Sequence, residues 1–110
     1  MPTPQDFFNI DIRVGTVLKA EPFTRAAKPS IRLEIDFGPE LGIKQSSAQL
    51  TMHYTPEALV GRQVVAVTNI GTRNIAGFIS EVLVLGAMPQ PHEVVLLAVD
   101  HPVANGVRIG

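Results

Sequence analysis

Residues 41–84 read LGIKQSSAQLTMHYTPEALVGRQVVAVTNIGTRNIAGFISEVLV, and the fold turns on three elements within them. The first, Lys44-Gln45-Ser46-Ser47-Ala48-Gln49, has the length of a strand but is polar. A polar strand set between apolar ones adds little to a core and suits a binding face. The second is a short helix. Thr55 caps it, Pro56 takes the first helical position, and Gly61 is placed to end it in a left-handed cap. The third is a pair of apolar strands, residues 64–67 and 81–85, joined by a Gly- and Asn-containing loop over 71–79. Between Glu40 and Glu81 the only carboxylate is Glu57, so Lys44, Arg62 and Arg73 are largely unopposed along the chain.

Upstream, Thr3-Pro4-Gln5-Asp6 has the chemistry of a helix start, and the helix is expected to reach about Asn9. Phe7 and Phe8 are adjacent, so they point in different directions and one of them needs a second surface. A first strand follows from Ile12 to Lys19, with Gly15 marking a bend or bulge. Residues 21–30 carry two prolines and are expected to form a loop. Ile31, Leu33, Ile35 and Phe37 then alternate with Arg32, Glu34 and Asp36, one face buried and one wet. Gly38-Pro39-Glu40 turns the chain into the polar third strand, residues 42–51. Downstream, residues 86–92 hold two prolines and form a turn. A sixth strand is expected over 94–99 and a last short one over 103–109, with a turn at Asn105-Gly106. Three strands, a short helix and two more strands are the element order of an all-β, five-stranded OB-fold barrel, whose helix lies between strands three and four. Extensions flank this core at both ends and are expected to build a two-fold homodimer, since the six apolar residues 94–99, with the 103–109 segment after them, and the Phe7-Phe8 pair need cover beyond the barrel. In that fold, strands two and three and the adjoining loops commonly carry the ligand.

A chain of 110 residues fits one domain, residues 1–110, with a modest core. Nine Lys and Arg stand against ten Asp and Glu, for a net charge of -1, which is not the balance of a globally basic nucleic-acid binder. Charged residues make up 17%, against about 25% in an average domain, and mean hydropathy is +0.23, so apolar surface is expected outside the core. The absence of cysteine excludes disulfides and thiolate chemistry and fits the cytosol. No signal-peptide pattern opens the sequence, and no apolar run approaches the roughly 18 residues of a membrane span, so membrane insertion is not expected.

Catalytic and metal-binding patterns are absent. His53, His92 and His101 lie far apart with no second ligand at helical or strand spacing, so no metal or other cofactor is expected. Ser46 and Ser47 have no identifiable base, and the 71–77 loop lacks the Gly-Lys-Ser/Thr ending of a phosphate loop. The reading is a non-enzyme. Arg25, Lys28 and Arg32 lie in an acid-free run that forms either a rim for phosphate or acidic peptide or a solvated loop. Aromatics for base stacking are scarce, with five Phe and one Tyr. Lys44, Gln45, Ser46, Asn69 and Ser80 are polar residues on or beside otherwise apolar strands and are expected to border one site; Ser47 and Arg73 lie close to them in sequence or fold.

The runs Asp11-Ile12-Arg13-Val14-Gly15, Ile35-Asp36-Phe37-Gly38, Gly42-Ile43-Lys44-Gln45-Ser46-Ser47-Ala48-Gln49 and Gly77-Phe78-Ile79-Ser80-Glu81-Val82-Leu83-Val84-Leu85-Gly86 resemble the CsaA family of export-related chaperones, within the tRNA-binding-domain (OB-fold) family. The resemblance extends through Asn105-Gly106 to the C-terminus. It implies a cytoplasmic homodimer that binds unfolded or precursor polypeptides, with links to the translocation ATPase SecA. Wider relatives bind tRNA through an Asn followed by a Gly-x-x-Ser-x-x-Met motif. Asn69, Gly77 and Ser80 match that pattern, and Leu83 stands at the Met position. The resemblance thus implies a peptide- or tRNA-binding site built on these residues.

Overall fold

The computed structural model describes residues 1–110. Its elements run α1 (Pro4–Phe8), β1 (Ile12–Phe23), β2 (Ser30–Asp36), α2 (Gly38–Leu41), β3 (Ile43–Ala48), α3 (Pro56–Leu59), β4 (Gln63–Val67), β5 (Arg73–Ile75), β6 (Phe78–Ser80), β7 (Leu83–Val84), β8 (Gly86–Ala87) and β9 (Val95–Leu96). Five strands form one antiparallel sheet in the order β3-β2-β1-β4-β7, curled so that β3 and β7 approach each other. With α3 between β3 and β4, this is the expected OB-fold barrel.

The barrel's centre comes from the alternating strand. Ile31, Leu33, Ile35 and Phe37 are buried; Val17, Val64, Ala66 and Val84 meet them from the other strands, and Val82 from the segment before β7. Leu59, from the Thr55-capped helix, is fully buried in the same cluster. β1 outruns its expected end because it serves two neighbours. Ile12 to Thr16 pair with β4, and Thr16 to Phe23 pair with β2. The bulge in β1 lies between Val17 and Lys19, at exposed Leu18, and not at Gly15. Gly15 is required for close packing: a Cβ there would stand 2.6 Å from the Ile35 side chain and 2.8 Å from the Phe37 ring. Residues 38–41, expected as a turn, close into the one-turn helix α2.

The loop expected over 71–79 contains a hairpin, β5 and β6, turned at Ala76 (φ 50) and Gly77 (φ 88). Two successive positive φ angles define the type I′ geometry that matches strand twist. The strand expected over 94–99 forms a ladder only at Val95 and Leu96, because its partner β8 is two residues long. Residues 103–109 make no strand. They lie along the free edge of the first half of β1, where the Val14 N–H donates to the Val107 carbonyl at 3.0 Å and the Ile109 N–H donates to the Ile12 carbonyl at 2.8 Å. The Gln63 and Arg13 side chains bond the Val103 and Gly106 carbonyls at 2.7 and 3.0 Å. The C-terminal extension therefore folds over its own barrel, covering Ile12, Val65 and Val67 with Ile109.

Candidate functional site

The polar strand β3 lies at the barrel's seam. One main-chain bond crosses from β3 to the segment before β7, from the Glu81 N–H to the Gln45 carbonyl at 2.8 Å. Side chains close the rest. Ser46 Oγ, buried, donates to the Val82 carbonyl at 2.9 Å, and the Gln45 N–H donates to Glu81 Oε1 at 3.1 Å. The Ser47 N–H donates to Ser80 Oγ at 3.3 Å, and Gln45 Nε2 donates to the Ile79 carbonyl at 2.7 Å. An apolar side chain at position 46 would leave the Val82 carbonyl only the longer contact from Ser80 Oγ, at 3.4 Å, so serine suits this strand where its neighbours carry Leu and Ile.

Along the outside of the seam runs a groove. Its central part, about 450 Å³, is floored by Leu83, Val84, Leu85, Met88 and Val94, with Ser47, Gln49, Arg73 and His92 at its sides. A smaller recess of about 130 Å³ continues under the β5–β6 hairpin, again with Ser47, Arg73 and Leu83 and with Ser80 and Ile75. At the other end, Gln49 and His92 are shared with a hollow of about 340 Å³ bounded by Lys28, Thr51 and Met52. No carboxylate lines any of these three parts, and their one aromatic ring is the His92 imidazole.

Of the nine residues singled out in the sequence, Ser47, Arg73, Ser80 and Leu83 meet in this groove. Ser46 lies behind it, in the seam. Gln45 borders a separate depression on the outer face, with Phe78 and Arg32. Lys44 pairs across the ladder with Ile35, on the strand face that turns inward. Gly77 supplies the hairpin turn. Asn69 is elsewhere: its Oδ1 accepts the Asp11 N–H at 2.9 Å and its Nδ2 donates to the Asn9 carbonyl at 2.8 Å, fastening α1 to the start of β1. Beside it, burial would raise the Asp11 carboxyl, but hydrogen bonds from Thr68 and Arg13, with the Arg13 and Arg108 charges, outweigh burial and hold it below the usual range. Met88, Leu85, Val94 and His92 are site residues that the sequence does not assign to the site; an apolar Met in a turn with two prolines is their only signal.

The basic residues of the acid-free run part company, for Arg32 lies on β2 and Lys28 in the loop before it. Arg32 pairs with Glu21 at 2.5 Å on the outer face, its guanidinium 5.4 and 5.6 Å from the centres of the Phe23 and Phe78 rings. Lys28 reaches the groove's end, where its ammonium lies 3.0 Å from His92 Nε2, while His92 Nδ1 lies 2.6 Å from Gln49 Oε1. An ammonium can only donate, so this contact uses Nε2 as the acceptor and leaves Nδ1–H to donate to Gln49. The flanking carboxylates are engaged. Glu93 is held by His53 at 2.6 Å and by Gln90 at 3.0 Å, and these bonds, His53's first, keep it below the usual carboxylate range. Glu81 is tied to Gln45. No group of three His, Cys, Asp or Glu side chains converges.

Residues 12–108 match the family described as "Putative tRNA binding domain". The chain belongs to this tRNA-binding-domain family. Within it, the chain stands with CsaA. A crystal structure of the chaperone CsaA from Bacillus anthracis str. Ames is 53% identical, covers 100% of this chain and 99% of that one, and superposes with a TM-score of 0.95. The CsaA chaperone protein of Picrophilus torridus is 43% identical over the full length of both chains, with a TM-score of 0.91. Among curated proteins, the methionine–tRNA ligase of Methanosarcina mazei is 36% identical over 96% of this chain, which spans only 14% of that ligase's length. These relationships support a chaperone or tRNA-binding module. No helix in the structure is long and apolar enough to cross a membrane.

Proposed function

We propose that this protein is a cytoplasmic, ATP-independent chaperone that assists protein export, binding unfolded or precursor polypeptides along the seam groove as a homodimer, with SecA as a partner. It works by binding and not by catalysis. The observation that carries this reading is the groove's makeup: an apolar floor of Leu83, Val84, Leu85, Met88 and Val94 with hydroxyl and amide groups at its sides. Such a lining suits extended chain, whose apolar side chains need burial and whose backbone needs polar partners. Ser47, Arg73, Ser80 and Leu83 are the contacts proposed from the original set. The dimer is supported by exposed Phe7 and Phe8 near one end of the chain and Val95 and Leu97 near the other, which a two-fold interface would cover. A denatured test protein diluted into a several-fold molar excess of this one, without nucleotide, is expected to scatter less light as it aggregates. Unchanged scattering would sink the chaperone reading.

A second reading, a tRNA-binding module, is favoured by the family match over residues 12–108 and by cationic Arg73 and Lys28 along one groove. The groove has no Phe, Tyr or Trp, and its one aromatic ring, His92, is engaged by Lys28 and Gln49, which leaves little stacking platform for bases. Salt separates the two. RNA affinity falls steeply with added salt through counterion release, whereas burial of apolar peptide persists.

A further inference from the structure

Arg73 stands at the base of the β5–β6 hairpin, paired across the ladder with Ser80, and it borders both the central groove and the recess beside it. It is exposed, and no carboxylate lies within ion-pair reach of it. Arg13, Lys19, Arg32 and Arg108, in contrast, each face an Asp or Glu on this chain. At the groove's far end the one full cation is Lys28, and its polar neighbour His92 accepts from it. The two carboxylates that flank the groove, Glu81 and Glu93, are both occupied by other partners. The groove is therefore apolar along its floor and carries an unopposed guanidinium at its side.

We propose that this groove selects polypeptide segments in which an Asp or Glu lies beside apolar residues, with Arg73 as the selecting residue. The proposal rests on the reading of the groove as a peptide site and adds its charge preference. The apolar neighbours of the acid fill the floor over Leu83 and Val94, and the carboxylate meets the guanidinium, whose planar fork suits a two-oxygen partner. A phosphate backbone would also satisfy one guanidinium. It offers no apolar groups for the floor, and its bases find no Phe, Tyr or Trp to stack on.

The test uses the full chain and three short labelled peptides of Leu, Val and Ser, alike except for a central Asp, Asn or Lys, with binding read by fluorescence anisotropy. The Asp peptide is expected to bind about threefold more tightly than the Asn peptide, the size an exposed ion pair supports. Arg73→Gln is expected to erase that difference, and Arg73→Glu to reverse it toward the Lys peptide. The melting temperature of both variants checks that the hairpin is intact. Equal binding of the Asp and Asn peptides by the parent would overturn the selectivity and leave the chaperone reading standing. Asp preference that survives in Arg73→Gln would overturn the role of Arg73. Failure of all three peptides to bind would defeat both.

Discussion

Ser46 Oγ reaches across the barrel's seam to the Val82 carbonyl at 2.9 Å, joining residues 36 positions apart by a side chain where a sheet would use its backbone. Ser46 is 1% exposed, and its removal leaves a buried acceptor only the longer contact from Ser80 Oγ, at 3.4 Å. Ser46→Ala is expected to cost about 1–3 kcal/mol, read as a lower midpoint in urea unfolding with the slope unchanged. A variant as stable as the parent would show that the seam does not depend on this bond.

Gly15 and Gly71 are expected to respond to alanine for different reasons. At Gly15 a Cβ meets Ile35 and Phe37 inside 3 Å, so Gly15→Ala overpacks the core at a cost of about 1–3 kcal/mol. At Gly71 there is open space but a φ of +86°, so Gly71→Ala costs about 1 kcal/mol of backbone strain alone. Thermal unfolding should rank Gly15→Ala as the less stable. The opposite ranking would contradict the packing around the first half of β1.

Asp11, like Glu93, contributes a pH dependence. Its folded pKa lies below its ordinary value, so its contribution to stability is fully present above the unfolded pKa, about 3.9, and is lost as pH falls through the folded value. Asp11→Asn is therefore expected to be less stable than the parent by about 1–2 kcal/mol at neutral pH, and the gap should close in acid below the unfolded pKa. A gap that stays constant down to strong acid would remove the carboxylate from the account.

Assembly can be tested at the exposed apolar ends. Leu97→Glu combined with Phe8→Ser is expected to convert a dimer to the 11.9 kDa monomer in sedimentation equilibrium at low micromolar concentration. A parent that already sediments as a single 11.9 kDa species would refute the dimer. A double variant that remains dimeric would move the interface elsewhere.

Met88 is an exposed side chain on the groove floor, at 64%. Met88→Glu is expected to weaken suppression of aggregation several-fold at the light-scattering readout while leaving the melting temperature within about 2 °C, because exposed substitutions rarely move stability by more than about 0.5 kcal/mol. Full retention of activity would place the polypeptide site away from this floor.

Local chemistry made part of this structure legible in the sequence. The alternation through Ile31, Leu33, Ile35 and Phe37 identifies its buried face without reference to any partner. Thr3 and Thr55 announce their helices because a cap is a contact within three residues: Thr3 accepts from the Asp6 N–H, and Thr55 from the Ala58 N–H. The β5–β6 hairpin stayed hidden because Arg73-Asn74-Ile75 has little strand character and Ala76-Gly77 is not the usual Asn-Gly turn. The polarity of β3 was visible, but its cause was not. A serine that faces solvent and a serine that faces a carbonyl 36 positions away look alike until the chain is folded. Asn69 shows the same ambiguity, since its partners Asp11 and Asn9 are 58 and 60 positions distant.

The side-chain closure of the barrel has a consequence for how the molecule breathes. The amide of Ser47 is shielded by the Ser80 hydroxyl and that of Gln45 by the Glu81 carboxylate, so rotation of one side chain frees either N–H without unzipping a ladder. Hydrogen exchange at these two amides thus follows local rotamer changes and not global unfolding, and β3 is protected along its β2 side by a continuous register from Ile43 to Ala48. Because Ser47 and Ser80 also wall the groove, the least stitched line of the barrel is the one an extended chain would lie against. The groove can widen to the bulk of different side chains while the remaining strand pairings keep the fold.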